Sequence, residues 1–194
     1  MPYVEHAHHH HDPIERGHLF LCENGSSMEE EYRALTVALM EALKVTSILE
    51  IGTGAATAIW ARFASRTGAS LRVVEPADSF ADQVEQLIPR ESVFRGELKE
   101  VIGRLSPVEF VILDSELQRR AEELDLLFES GVCGPQTTVV LHDTSRRRTI
   151  SKDVPDPASA LFWDGFRRVA ESRQLQWLEL PFSRGMIILH QPRS

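Results

Sequence analysis

Cysteine is scarce in this 194-residue chain: Cys22 and Cys133 lie far apart and form no CxxC pattern. That excludes a disulfide-stapled scaffold and fits reduced thiols in a cytoplasm. Long apolar runs are missing too. The longest, at 110–113 and 139–141, are strand-sized and far below the roughly 20 residues that span a bilayer, and the N-terminal stretch has no apolar secretory segment. Positive charge is in deficit, with 21 Lys and Arg against 29 Asp and Glu for a net charge of -8. A general nucleic-acid binder is disfavoured, because phosphate contacts need clustered cations. The one basic run, Arg146-Arg147-Arg148, reads as a solvated turn.

What the chain does have is 42% hydrophobic content, enough for one substantial core in a length too short for two ordinary domains. His6 and His8 to His11 precede Asp12 and Pro13. Neutral imidazoles bind divalent metals, but an aperiodic His-rich terminus reads as a disordered segment. The organisation expected is a flexible His-rich segment over 1–25 and a single folded domain over 26–194, with no internal repeat or interior linker. The oligomeric state is left open.

Ser27, three residues ahead of Glu30, resembles a capping box, and acidic residues 29–31 favour the positive end of a helix dipole. A helix is predicted to about Lys44, with Leu35, Leu39, Ala42 and Leu43 against a sheet. Residues 47–51 read as a strand that breaks at Gly52-Thr53-Gly54 into an Ala-rich helix ending near Gly68. Strands over 71–75, 92–95, 108–113 and 137–141 then alternate with helices. These helices start at Asp78 or Ser79, at Glu97, at Arg119, and at residues 155–158 running toward Arg173. Residues 154–157 read as a Pro-rich loop. Residues 176–180 and 186–190 are strand-like with too little chain between them for a crossover helix, so they form an antiparallel hairpin. The fold class expected is α/β: a doubly wound, mostly parallel seven-stranded sheet with a C-terminal antiparallel hairpin.

In such a sheet ligands bind beyond the carboxyl ends of the strands, near the point where strand order reverses. The candidates are Glu50 with the Gly52-Thr53-Gly54 turn, Glu75, Asp114, and the pair His142-Asp143. Glycines let a backbone approach a ligand closely. Glu75, ending a strand, suits the two hydroxyls of a ribose. A dinucleotide GxGxxG pattern fails at its third glycine, where Thr57 stands. Glu50 would repel a pyrophosphate but attract an ammonium or sulfonium group.

The segment Glu50-Ile51-Gly52-Thr53-Gly54-Ala55-Ala56 resembles the first motif of class I, Rossmann-like methyltransferases that use S-adenosylmethionine, an acidic residue followed by GxGxG, with Ala56 in place of the last glycine. The resemblance runs through Glu75, Arg95-Gly96-Glu97, Val111 to Asp114 and Val139 to Thr144. Its Leu141-His142-Asp143-Thr144 strand end is similar to that of small-molecule O-methyltransferases. The resemblance implies that Gly52, Thr53 and Gly54 line the methionine part of the cofactor, that Glu50 orients its amino group, and that Glu75 holds the ribose. It also implies that Glu97 faces the adenine, where the family often has Asp, and Asp114 is a further cofactor-binding candidate.

On the acceptor side Asp114, His142 and Asp143 are the catalytic candidates, with His142 a general base or substrate-orienting group. Metal-dependent relatives hold Mg²⁺ at these positions, so the three are also the candidate metal ligands. His142 stands where such relatives carry a carboxylate, and no His follows Asp114, so Mg²⁺ is not expected. The function implied is methylation of a small-molecule acceptor on an oxygen nucleophile. The rivals are a non-catalytic S-adenosylmethionine-binding protein and, with less support, a nicotinamide-dependent oxidoreductase.

Overall fold

The computed structural model describes residues 30–146, 149–151, 154–182 and 184–192; at 30, 31, 149–151, 154 and 155 it describes the backbone only. The His-rich tract, Cys22, Ser27, Arg147 and Arg148 lie outside the described residues. The chain runs α1 (Glu30–Ala42), β1 (Ser47–Ile51), α2 (Thr57–Thr67), β2 (Ser70–Glu75), α3 (Asp78–Val84), β3 (Val93–Arg95), α4 (Leu98–Val101), β4 (Phe110–Leu113), α5 (Arg120–Glu129) and β5 (Thr138–His142). It continues through β6 (Thr149–Ser151), β7 (Val154–Pro155), α6 (Pro157–Ser172), β8 (Gln176–Leu180) and β9 (Met186–His190).

Seven strands form one sheet in the order β3-β2-β1-β4-β5-β9-β8. The first five are parallel, and β9 runs antiparallel to both β5 and β8. The central strands β1, β4 and β5 are buried almost end to end, as parallel strands covered on both faces must be. Side chains alternate across the sheet. Leu49, Ile51, Val111, Leu113, Val139 and Leu141 meet Leu124, Leu127, Phe162 and Phe166 from α5 and α6. Ile48, Val73, Phe110, Ile112 and Val140 pack with Tyr32, Met40, Trp60 and Phe63 from α1 and α2. Each fully buried large apolar side chain contributes about 1.5–3 kcal/mol.

Local signals explain most boundaries. Gly68, with φ 76°, ends α2 in the left-handed conformation, its N–H donating to the Ala64 carbonyl. Asp156 caps α6, its carboxylate accepting from the Ala158 N–H at 2.9 Å, with Pro157 in the first turn.

Four expectations are corrected. The buried stripe of α1 is Tyr32, Thr36 and Met40, while Leu35 and Leu39 flank it half-buried. Ala42 and Leu43 are exposed, because the helix ends there and the chain turns through Lys44 at φ 53°. Neither Asp78 nor Ser79 caps α3; Ala77 occupies that position without a side-chain bond, and Asp78 pairs with Arg95 instead. The helix expected over 97–105 is α4 followed by a 3₁₀ turn at Ile102–Arg104. Part of the expected 154–157 loop is β7, which pairs with β6 as a small separate ribbon.

Candidate active site

Strand parity decides which side chains meet. Residues of even number on β1, β4 and β5 face α1 and α2, so Glu50, Asp114 and His142 continue that face at the strand ends. The register pairs Ile51 with Leu113 and Leu113 with Leu141, setting Gly52, Asp114 and His142 level at the carboxyl edge. Glu75, two residues beyond the buried Val73, lies on the same face of β2. This is where strand order reverses between β1 and β4.

The β1–α2 turn is held by its own hydrogen bonds. The Thr53 N–H (3.0 Å) and hydroxyl (2.6 Å) both donate to Glu75 Oε2, and the Ala77 N–H donates to Oε1 at 2.8 Å. The Gly54 N–H donates to the Thr57 hydroxyl at 3.1 Å, and that hydroxyl donates to Glu50 Oε1 at 3.0 Å. Gly52 has φ +79°, and a Cβ there would sit 2.7 Å from the backbone of Ser115. Its absent side chain thus serves close packing of the β1 and β4 loops, and Gly52 also lines the cavity.

A cavity of about 270 Å³ opens beside this turn, lined by Gly52, Thr53, Glu75, Phe80, Glu97 and Asp114 among others. Glu97 lies at its rim, paired with Arg119 Nη1 at 2.8 Å and Lys99 Nζ at 2.9 Å. The hydrogen bond from Lys99 and the charge of Arg119 hold its carboxyl below the usual range. The carboxylates of Glu75 and Glu97 both border the opening, already satisfied by the chain.

Glu50 is different. It is 2% exposed, and its Oε2 has no hydrogen-bond partner among the described residues. Burial holds this carboxyl well above the usual range; the Thr57 hydroxyl works against that shift, and nearby Asp114 and Glu75 add to it. Asp114 accepts from Arg120 Nη2 at 3.0 Å and lies 3.6 Å from His142 Nδ1, longer than a hydrogen bond. Burial works to raise the Asp114 carboxyl, but His142 and Arg120 outweigh it and hold it below the usual range.

Arg120 was not a candidate from the sequence, yet it ties the site together. Buried at the start of α5, it donates to the carbonyls of Ser115 and His142 as well as to Asp114. The available signal was its position: arginine at a helix N-terminus opposes the dipole and needs another reason to be there. Tyr32 was also missed. Its ring stacks on the His142 imidazole, centroids 4.0 Å apart and 18° between planes, and meets Trp60 edge-on at 6.2 Å. Tyr32 Oη, Trp60 Nε1, His142 Nε2 and Thr144 Oγ1 are buried without hydrogen-bond partners among the described residues. Burial, then Asp114 and Glu50, raise the Tyr32 phenol well above its usual pKa, so it stays protonated.

The structure brings Asp114 and His142 together and gives Asp143 another engagement. Asp143, at φ 59°, accepts from Arg184 Nε (3.0 Å) and Nη2 (2.7 Å). The β8–β9 turn is pressed against this segment: the Ser145 N–H donates to the Arg184 carbonyl at 2.8 Å, and a Cβ on Gly185 would collide with the backbone of Ser145. Arg146 pairs with Glu179 at 2.9 Å, its guanidinium 3.6 Å from the Trp163 ring centroid. Among the described residues no three His, Cys, Asp or Glu side chains gather as a metal site. Cys133 is buried, which raises its thiol pKa and leaves it unreactive. No helix among the described residues is long and apolar enough to cross a membrane.

No protein-family model and no curated protein sequence matches the chain. Solved structures do. A Corynebacterium glutamicum protein superposes with a TM-score of 0.73 at 16% identity, covering 99% of this chain and 95% of that one. A Podospora anserina methyltransferase bound to S-adenosylhomocysteine gives 0.72 at 12% identity, covering 100% and 98%. The O-methyltransferase TomG from Streptomyces achromogenes, involved in tomaymycin synthesis and solved with S-adenosylmethionine, gives 0.66 at 16% identity, covering 95% and 92%. Identities this low carry architecture, not chemistry: the chain has the Rossmann-like fold of class I methyltransferases.

Proposed function

We propose that the protein is an S-adenosylmethionine-dependent methyltransferase acting in the cytoplasm on a small-molecule acceptor, with oxygen as the nucleophile and residues 26–194 as its single domain. The observation that carries this reading is the carboxylates Glu75 and Glu97, which line the cavity at the Gly52 turn beyond β2 and β3, with Glu50 buried at the end of neighbouring β1. These carboxylates suit a ligand with a cationic end and a ribose and repel the pyrophosphate of a dinucleotide. The orphaned Oε2 of Glu50 fits the ammonium group of that ligand.

Bound there, the cofactor supplies a methyl group already activated by its sulfonium. Glu50 receives the ammonium, and the backbone of Gly52, Thr53 and Gly54 surrounds the amino-acid part. Glu75 presents its one remaining acceptor position to a ribose hydroxyl, since a carboxylate has about four acceptor positions and three are used. Glu97 borders the adenine, and Asp114 closes the floor toward the acceptor. His142 takes the acceptor proton at Nε2, with Asp114 facing Nδ1, while Asp143 fixes the strand end through Arg184. Because Tyr32 covers His142, the acceptor enters only when that ring is displaced.

Thermal melting tests the cofactor claim. S-Adenosylmethionine at one hundred times its dissociation constant adds about 2.7 kcal/mol of stability, a rise of several degrees. Stabilisation by a nicotinamide dinucleotide and none by S-adenosylmethionine or S-adenosylhomocysteine overturns the proposal. Formation of S-adenosylhomocysteine with hydroxylated small molecules then separates an enzyme from a silent binder.

A further inference from the structure

Among the described residues Glu50 is a carboxyl group without a countercharge. It comes from the end of β1, is 2% exposed, and has one oxygen bonded to the Thr57 hydroxyl and the other bonded to nothing among the described residues. The groups facing it are the Tyr32 phenol from α1, Thr57 and the Trp60 indole from α2, Glu75 from β2 and Asp114 from β4. Two of these are carboxylates and none is a cation. The guanidinium of Arg120 spends its donors on Asp114 and on the carbonyls of Ser115 and His142. An ionised carboxylate in that setting is costly, and a protonated one is the cheaper state.

Resting on the methyltransferase reading, we propose that the cofactor's ammonium group binds at Glu50 by exchange, displacing one proton from the carboxyl group as the ion pair forms. The balance is simple: a neutral carboxylic acid and an ammonium ion give a carboxylate–ammonium pair and one proton released to solvent. No bond to carbon changes and no co-reactant is needed. The exchange makes the site selective for a cation-headed ligand, because a deaminated or neutral analogue leaves Glu50 protonated and gains no ion pair. It also makes affinity depend on pH with a defined sign. In the free protein Glu50 holds its proton above the usual carboxylate range, and the ammonium lowers that pKa. Binding therefore tightens as pH rises through the window between the two values and levels off above it, with a slope of up to about tenfold per pH unit.

The experiment uses the full chain and S-adenosylhomocysteine, which carries the same ammonium and is chemically stable. Calorimetric titrations are run below about pH 7, where the ligand's own amino group stays protonated, in phosphate and in imidazole, buffers of unlike ionisation enthalpy. The expected result is an apparent enthalpy that differs between buffers in the direction of proton release on binding. Glu50→Gln is expected to bind more weakly, with equal heats in both buffers and a flat pH profile. Thr57→Val, which removes the hydroxyl favouring the carboxylate, is expected to carry proton release to higher pH. Tight binding by the wild-type chain with no buffer dependence overturns the exchange and leaves the cofactor claim standing. Undiminished proton release in Glu50→Gln, or in Thr57→Val no shift of the window, assigns the proton elsewhere and also overturns it. Absence of binding by either S-adenosylmethionine or S-adenosylhomocysteine overturns both readings.

Discussion

The two halves of the strand-end surface are finished to different degrees. Around Glu75 and Glu97 the polar atoms are paired before any ligand arrives, by Thr53, Ala77, Lys99 and Arg119, and the cavity stands open. Under α1, Glu50, Tyr32, Trp60 and His142 are buried, each with a polar atom that has no hydrogen-bond partner among the described residues. An unsatisfied buried group costs about 1–3 kcal/mol, so the second region stores destabilisation that the first does not. A half that is paired and open can accept a ligand without rearrangement. The unpaired, covered half gains its hydrogen bonds only when something enters.

The sharpest way to break this contrast is at His142. His142→Gln is expected to lower turnover by roughly 10² to 10⁴, the span of general acid–base catalysis, while leaving cofactor affinity unchanged; steady-state rates beside calorimetric affinities check it. Gly52→Ala is the next largest. It combines a strained φ with overpacking against Ser115, and a loss of about 2–5 kcal/mol is expected in denaturant unfolding. Glu75→Ala is expected to weaken cofactor binding by about 1.5–3 kcal/mol if the lost bonds are charge-assisted. Thr53→Ala, which removes one hydrogen bond to Glu75 and leaves the carboxylate in place, is expected to lose less.

Glu50→Gln tests the covered half directly. Glu50 has a raised folded pKa, so its contribution to stability is fully present below the unfolded value and is lost as pH rises through the folded one. Without ligand the variant is therefore expected to melt with the wild type in acid and above it at neutral pH. The smallest effect belongs to Asp114, whose pKa is depressed. Its contribution is present above the unfolded pKa and lost as pH falls through the folded one. Asp114→Asn is expected to flatten the acid side of the stability curve. A flattening equal in size at Glu50→Gln would erase the distinction between the two carboxyls.

Where a feature depended on one strand or one turn, the sequence made it legible. Short strand-like runs alternating with helical patterns marked the seven strands, and the short 181–185 connection forced the hairpin that the structure contains. Glu50, Glu75 and His142 could be read because a strand end has a known place in an open parallel sheet. What depended on packing between distant elements was not legible. The two candidate faces of α1 differ by about one residue of rotation, and apolarity favoured Leu35 and Leu43 over Tyr32 and Thr36. Tertiary contact with His142 and Trp60 decided for the latter. The pairing of Asp143 with Arg184 spans 41 residues, and no local pattern announces it.

That pairing bears on the order in which the molecule is made. β9 sits between β5 and β8 in the sheet, and Met186 is the partner of His142, yet β9 is synthesised after every other strand. A growing chain exposes β1 through β5 first, with β5 as a temporary edge whose backbone donors and acceptors are open to other chains. The cofactor half can take shape during elongation. The His142 side of the strand ends waits for the hairpin to insert and for Arg184 to reach Asp143, so a ribosome-bound intermediate is expected to form the proposed cofactor surface before the proposed acceptor surface.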